Sequence, residues 1–310
     1  MLNLARAASR VIDGYWNSEA AVPIAAFAGD PPSAGEVDSH LSQIATRAER
    51  FHETDYARTL RTTDLGRLLR TGQLALVAAP AIVLDGPLDK ARHGALQEQG
   101  RIVSALRPLV VGVRQEVILA SPYFIPSEPG LVVLCEVSRR NVRVRVLTNS
   151  LASTDVPVVH FGYAQYGPRL LACGVELHEL RGGTMRSGSL RAGLSSGASL
   201  HAKAVVMDRR SVLIGSMSLD PRSRRLNTEV GVLIDSAALG EQIGILFDEA
   251  TDLHQAFWVR PASPGDETAP LVWDGGDGSE PLRYDRELLA GWWRKFLANL
   301  LGTLAPEALL

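Results

Sequence analysis

The sequence of 310 residues has no charge excess, almost no cysteine and no long apolar run. Its 32 lysines and arginines are set against 34 acids, a net charge of −2. A general nucleic-acid binder would show a basic surplus, so no nucleic-acid partner is expected. Two cysteines, Cys135 and Cys173, argue against a disulfide framework or a cysteine-built zinc site. They are expected as buried free thiols in a reducing compartment. The longest nearly unbroken apolar run, Leu74 to Leu84, contains Pro80 and falls short of the ~20 residues that span a bilayer. Arg6 and Arg10 interrupt any secretory apolar core near the start. What remains is an ordinary globular composition, 46% hydrophobic and 21% charged, with material for about two domains.

The pattern along the chain is helical first and alternating later. Residues 2–16 repeat apolar positions at helical spacing, 29–40 are turn-rich, and helices are expected over about 41–53 and 55–70. Residues 74–84 read as a buried strand or strand pair, and a helix is expected over about 92–113. Strands at 116–124, 141–149 and 174–180 then alternate with helices, which indicates an α/β fold with helices on a mixed, largely parallel sheet. Residues 181–199 are Gly/Ser-rich and carry Arg181, Arg186 and Arg191, expected as solvated loop charges, with contact to lipid phosphates as the alternative. Three further strands follow at 200–208, 211–216 and 228–235, then a helix over about 237–257 and loops over 260–283 around a short strand at LVWD, 271–274. The last helix, about 285–304, has Leu288, Leu289, Trp292, Trp293, Phe296 and Leu297 on one face. That face suits either core packing or a membrane interface.

Chemistry concentrates in LHAKAVVMDRRSVLIGSMSLDPRSRRLNTE, residues 200–229. Residues two apart in a strand share a face, so His201 and Lys203 project together. An ammonium beside an imidazole suits a phosphate: one holds anionic oxygens while the other attacks phosphorus or moves a proton. Ser216 follows in a Gly-Ser turn, and Glu229 is placed to accept the other imidazole N–H. A lone His-x-Lys followed by an Asp is a weak motif, and on its own fits a strand-end histidine and a solvated lysine.

The extended pattern, His201-x-Lys203-x4-Asp208, then Gly215-Ser216-x-Ser218, then Glu229, resembles the phospholipase D superfamily. Its context, with SPYFIPSEPG at 121–130 and RVLTNSLASTDVPVVHFGYAQY at 145–166, is similar to the cardiolipin synthase C-like branch. The resemblance covers essentially the whole chain. It implies a phospholipase D-like fold and phosphatidyl transfer through a phosphohistidine, with no metal or organic cofactor. It implies phospholipid substrates and peripheral placement on the cytoplasmic side of a bacterial membrane. His201 would act as general acid and later base, Lys203 would hold phosphoryl oxygens, Ser216 would assist, and Glu229 would orient His201. Asp208 would support the site structurally. Ser218 stands where the family has asparagine, and Thr154, Asp155 and His160 are candidates for contacting the head group.

The family uses two such motifs facing each other, and this sequence carries one. Residues 1–89 are therefore expected to be the remnant of a first repeat. Residues 90–257 would be a complete second repeat, and 258–310 a C-terminal extension. The expectation is half an active site, completed by an upstream half or a partner chain. The alternatives are a nuclease-like homodimer that pairs two single motifs, or an inactive remnant that binds membrane or a partner.

Overall fold

The computed structural model describes residues 2–74, 76–86, 100–182, 199–263, 269–277 and 280–287. They fall into two compact units, a helical one within Ile12–Leu76 and a larger one that holds the sheet. Helix α1 (Leu2–Trp16) runs into the first. There α2 (Ala34–His52) starts at Ser33, whose hydroxyl accepts the Glu36 N–H while the Glu36 carboxylate accepts the Ser33 N–H. This capping box starts the helix seven residues earlier than the turn-rich composition suggests. The next helical stretch is split into α3 (Asp55–Thr62) and α4 (Asp64–Thr71) by Thr63, which caps α4 through the Gly66 N–H. Gly66 is required there, because a Cβ would sit 2.0 Å from the Leu60 carbonyl oxygen.

The larger unit contains one ten-stranded sheet. Its strands are β1 (Ala81–Asp85), β2 (Glu116–Ala120), β3 (Arg143–Asn149), β4 (Glu176–Leu180) and β5 (Ala204–Met207), then β6 (Ser211–Gly215), β7 (Val230–Asp235), β8 (Ala256–Pro261), β9 (Leu271–Asp277) and β10 (Glu280–Tyr284). Their order is β1-β7-β6-β5-β2-β3-β4-β8-β9-β10. The α/β class stands, but the expected largely parallel sheet is mostly antiparallel. Only β2–β3 and β3–β4 are parallel. Those two junctions are crossed by helices, whereas β5–β6, β8–β9 and β9–β10 are joined by short connections that return the chain antiparallel. Strand β9 contains the short strand expected at LVWD, whereas β8 and β10 occupy stretches read as the end of a helix and loops. Pro261, Gly275 and Gly276 look like breakers in sequence, yet strands remote from the sheet centre accommodate them.

Strict alternation divides the core between the two faces. Val117, Leu119, Val144, Val146 and Leu177 pack with α5 (Arg101–Gly112), α6 (Ser127–Ser138), α7 (Pro157–Ala164) and α8 (Gly167–Ala172). Ile118, Ala120, Leu147, Val206 and Val212 pack with Phe247 of α10 (Ala237–Ala250), leaving α9 (Pro221–Arg225) as a short turn after β6. Strand β1 is an edge strand with Ile82 exposed, so only the end of the 74–84 run forms a strand. At one end of the sheet Arg145, 5% exposed, bridges Glu116 and Asp248, and Arg143 pairs with Glu176. Burial pushes Glu176 up, but His178, Arg143 and Arg145 outweigh it and hold the carboxyl at about 2.

Cys135 and Cys173 form a disulfide between α6 and the end of α8, which corrects the expectation of free thiols. Both helices lie on the same sheet face, a proximity that a separation of 38 residues does not disclose. Replacing Cys173 with Ser is expected to cost about 2–4 kcal/mol in urea unfolding. Reductant should reproduce the loss in the natural chain and add nothing in the variant.

The described residues include no helix long and apolar enough to cross a membrane. The amphipathic face at 288–297, and Arg186 and Arg191, lie outside the described residues. Arg181 is described, and its guanidinium bonds the Leu253 and Gly276 carbonyls and lies over Phe257. It is a structural clamp rather than a solvated charge.

Candidate active site

The site is built where β5 and β6 meet the loops at the ends of β2 and β3. His201 and Lys203 lie just before β5, in an extended segment fixed by a residue that sequence reasoning passed over. Asn149, at the end of β3 and 2% exposed, accepts the Leu200 N–H at 2.8 Å and donates its amide to the Leu200 carbonyl at 3.1 Å. It also donates to the Pro122 carbonyl at 3.2 Å. One amide side chain thus joins three loops and sets the position of His201 beside Leu200. The sequence marks it only as a polar residue at the end of a strand.

His201 is exposed, and Lys203 is half-buried with its ammonium donating to the His201 carbonyl at 3.2 Å. Burial lowers the Lys203 pKa, while the charges of Glu229, Asp155 and Asp220 oppose that shift. A partly desolvated ammonium gains more from an arriving phosphate oxygen than a solvated one would.

Ser216 follows Gly215 at the end of β6. Its N–H donates to the Val230 carbonyl at 2.9 Å, its oxygen accepts the Val230 N–H at 3.0 Å, and its hydroxyl donates to Glu229. Gly215 permits this crossing, since a Cβ would stand 2.3 Å from the Val230 carbonyl oxygen. Glu229, 5% exposed, was expected to back His201; the structure pairs it with the Ser216 hydroxyl. Asp208 lies at the far end of β5 from His201. Its carboxylate accepts the N–H groups of Arg114, Gln115 and Glu116, the tightest at 2.8 Å, and so pins the start of β2. Asp208 is not among the residues that line the cavity beside His201.

A cavity of about 520 Å³ collects His201, Lys203, Ser216, Ser218 and Glu229. Tyr123, Asp220 and Arg222 share its wall, and none of the three was singled out from sequence. Tyr123 donates its hydroxyl to Asp155 at 2.8 Å, which ties the loop after β2 to the loop after β3. Burial first, then Asp155, raises the phenol pKa and keeps it a neutral donor.

Of the expected head-group contacts, Thr154, Asp155 and His160 are not in the cavity lining. Thr154 accepts the Val156 N–H within its own turn, and Asp155 acts through Tyr123. His160 is buried on α7, with Nδ1 at 3.3 Å from the Asn149 carbonyl and Nε2 at 2.9 Å from Glu287. His160, Glu179 and Glu287 bring metal-ligating atoms within 4.8 Å of one another. Internal donors already serve both acids: Tyr163 and Trp273 donate to Glu179, and the Leu151 N–H donates to Glu287.

Residues 112–251 match the family model described as cardiolipin synthase, phospholipase D-like domain. The chain is 30% identical over 299 residues to cardiolipin synthase C of Escherichia coli, covering 96% of this chain and 62% of that protein. It is 30% identical over 163 residues to cardiolipin synthase A of Cronobacter sakazakii, covering 51% of this chain and 30% of the relative. The chain therefore spans less than two thirds of these relatives. Among solved structures, phosphatidylserine synthase of Haemophilus influenzae superposes with a TM-score of 0.53 at 15% identity, covering 99% of this chain and 61% of the other. That likeness concerns the fold.

Proposed function

The chain carries a phospholipase D-like domain of the cardiolipin synthase kind, and from that premise we propose that it takes part in phosphatidyl transfer between phospholipids. The observation that supports this most directly is the convergence of His201, Lys203 and the Ser216–Glu229 pair on one cavity. Lys203 holds the non-bridging oxygens of the phosphodiester, and Ser216 adds a hydroxyl whose orientation Glu229 fixes. His201 protonates the leaving alcohol as a histidine from a second motif attacks phosphorus. It then removes the proton of the acceptor alcohol as that oxygen displaces the phosphohistidine. Bond making and breaking on opposite sides of phosphorus need two such groups, and this sequence carries one His-x-Lys-x4-Asp. The complementary histidine is supplied by another chain or by a segment outside these residues.

The test is cardiolipin formation from phosphatidylglycerol vesicles, followed by mass spectrometry. It is run with this chain alone and with a chain that carries the other motif. Transfer is expected in the mixture. Activity of this chain alone that rises with the square of its concentration would instead identify a homodimer with a shared site. Absence of both transfer and phosphodiester hydrolysis in every arm would reject the assignment.

A further inference from the structure

Beside the reactive cavity lies a second one that the chemistry above does not use. It has a volume of about 210 Å³ and is bounded by α5 and α6. Half-buried Val103 and Leu106 of α5 line it together with half-buried Val133 of α6, and buried Leu119 and Phe124 complete the apolar surface. Native interiors leave few gaps larger than a water, which needs only ~10–15 Å³ on this measure. An apolar space of this size between packed helices points to an occupant.

The two cavities share a wall. Along residues 216–220, Ser216, Ser218 and Asp220 line the reactive cavity, whereas Met217 and Leu219 line the second. Helix α9 divides in the same way: Arg222 lines the first, and Arg224 and Arg225 line the second.

The lining narrows the class of occupant. Among the described residues around this cavity, the polar side chains are Arg107, Arg224 and Arg225 alone. No hydroxyl, amide, imidazole or carboxylate side chain of the described lining is there to serve a buried polar atom. A peptide or a heterocycle would leave hydrogen-bonding groups unserved inside it, and an alkyl chain brings none. Three guanidiniums with no acid in the described lining favour an anionic end on that chain, even with one Arg224 donor spent on Ser127 Oγ at 2.7 Å. Arg107 is exposed and the other two are half-buried, so the charge lies where the cavity meets solvent.

We propose that this cavity binds the alkyl chain of an anionic amphiphile, with the head received by Arg107, Arg224 and Arg225. The site is separate from the one that holds His201, and it stands whether or not the phosphodiester reading does.

Titration calorimetry on the full chain tests this with decanoate, butyrate and decyltrimethylammonium, each kept monomeric. Decanoate is expected to bind about a hundredfold or more tighter than butyrate, because six further methylenes are buried. It should bind about tenfold tighter than the cation with the same chain length. Leu106→Trp and Val133→Trp fill the cavity from different helices, so that one misfolded variant leaves the other to decide. Each should weaken decanoate about tenfold or more. Arg107→Glu, at an exposed position, should narrow the gap between the anionic and cationic heads. Lys203→Ala should leave decanoate within about twofold, since it alters only the neighbouring cavity. A loss in Lys203→Ala equal to that in the tryptophan variants would place the head in the reactive cavity and overturn a separate site. A natural chain that does not bind decanoate, equal binding of the two heads, or indifference to both tryptophans would overturn the proposal outright.

Discussion

Replacing His201 with Asn is expected to lower phosphatidyl transfer about a thousandfold, measured with the second motif supplied, while leaving the fold unchanged. The size follows from the loss of a positioned acid and base, which is worth about a hundred- to ten-thousandfold. Asparagine keeps a polar side chain of similar reach but cannot exchange a proton near neutral pH. The fold should tolerate the change because His201 is exposed and the structure seats it through the backbone of Leu200, held by Asn149. Unfolding midpoints should therefore stay within about 0.5 kcal/mol of the natural chain. Lys203→Ala should cost nearly as much activity, because it removes the cation that meets the phosphate. Ser216→Ala should cost less, since Ser216 contributes one neutral hydrogen bond. A His201→Asn protein that forms cardiolipin at the natural rate would show that the chemistry lies elsewhere.

The two-residue spacing of His201 and Lys203 suggested one shared site, and both line the cavity, although the strand expected over 200–208 begins only at Ala204. Spacing works here because the two residues are local, and local geometry is what periodicity encodes. The same reasoning could not reach Tyr123, Asp220 or Asn149. Their places depend on the loops after β2, β3 and β6 coming together, which is a property of sheet order. Asn149 serves Leu200 from 51 residues away, and no spacing rule anticipates such a bond. The error in strand direction has the same origin. Helices between β2, β3 and β4 gave a parallel signal that holds for those three strands and was extended to strands joined by short turns. His160 shows how a motif can mislead. It follows a strand in a loop-to-helix stretch, the right place for a ligand contact, yet its ring turns inward to Glu287 because burial there is compensated by an acid from far along the chain.

That inward cluster is expected to lower stability as pH rises from about 4.5 to about 7. Glu179 on β4 is 2% exposed, and burial together with the charge of Glu287 raises its carboxyl to about 7. The opposing pull of His160, Trp273 and Tyr163 does not restore the ordinary value of 4.5. The unfolded chain releases this proton near 4.5 and the folded chain near 7, so between those values the folded state holds more protons. Stability from this group is complete below about pH 4.5, declines up to about pH 7 and is flat beyond. The decline amounts to about 3 kcal/mol. His160 acts in the same direction: burial opposes its charge, but Glu287 outweighs burial and raises its pKa, so its contribution also fades as pH rises. Glu176 acts in the opposite direction, because a carboxyl held at about 2 loses stability only as pH falls below its unfolded value. His178 also opposes the decline, because burial lowers its pKa and its charging costs the fold stability as pH falls. Urea unfolding at pH 5 and at pH 7.5 should show the drop in the natural chain. Glu179→Gln, which cannot ionise, should reduce the drop to under about 1 kcal/mol. A Gln variant that keeps the full slope of the natural chain would show that Glu179 is ionised in the fold.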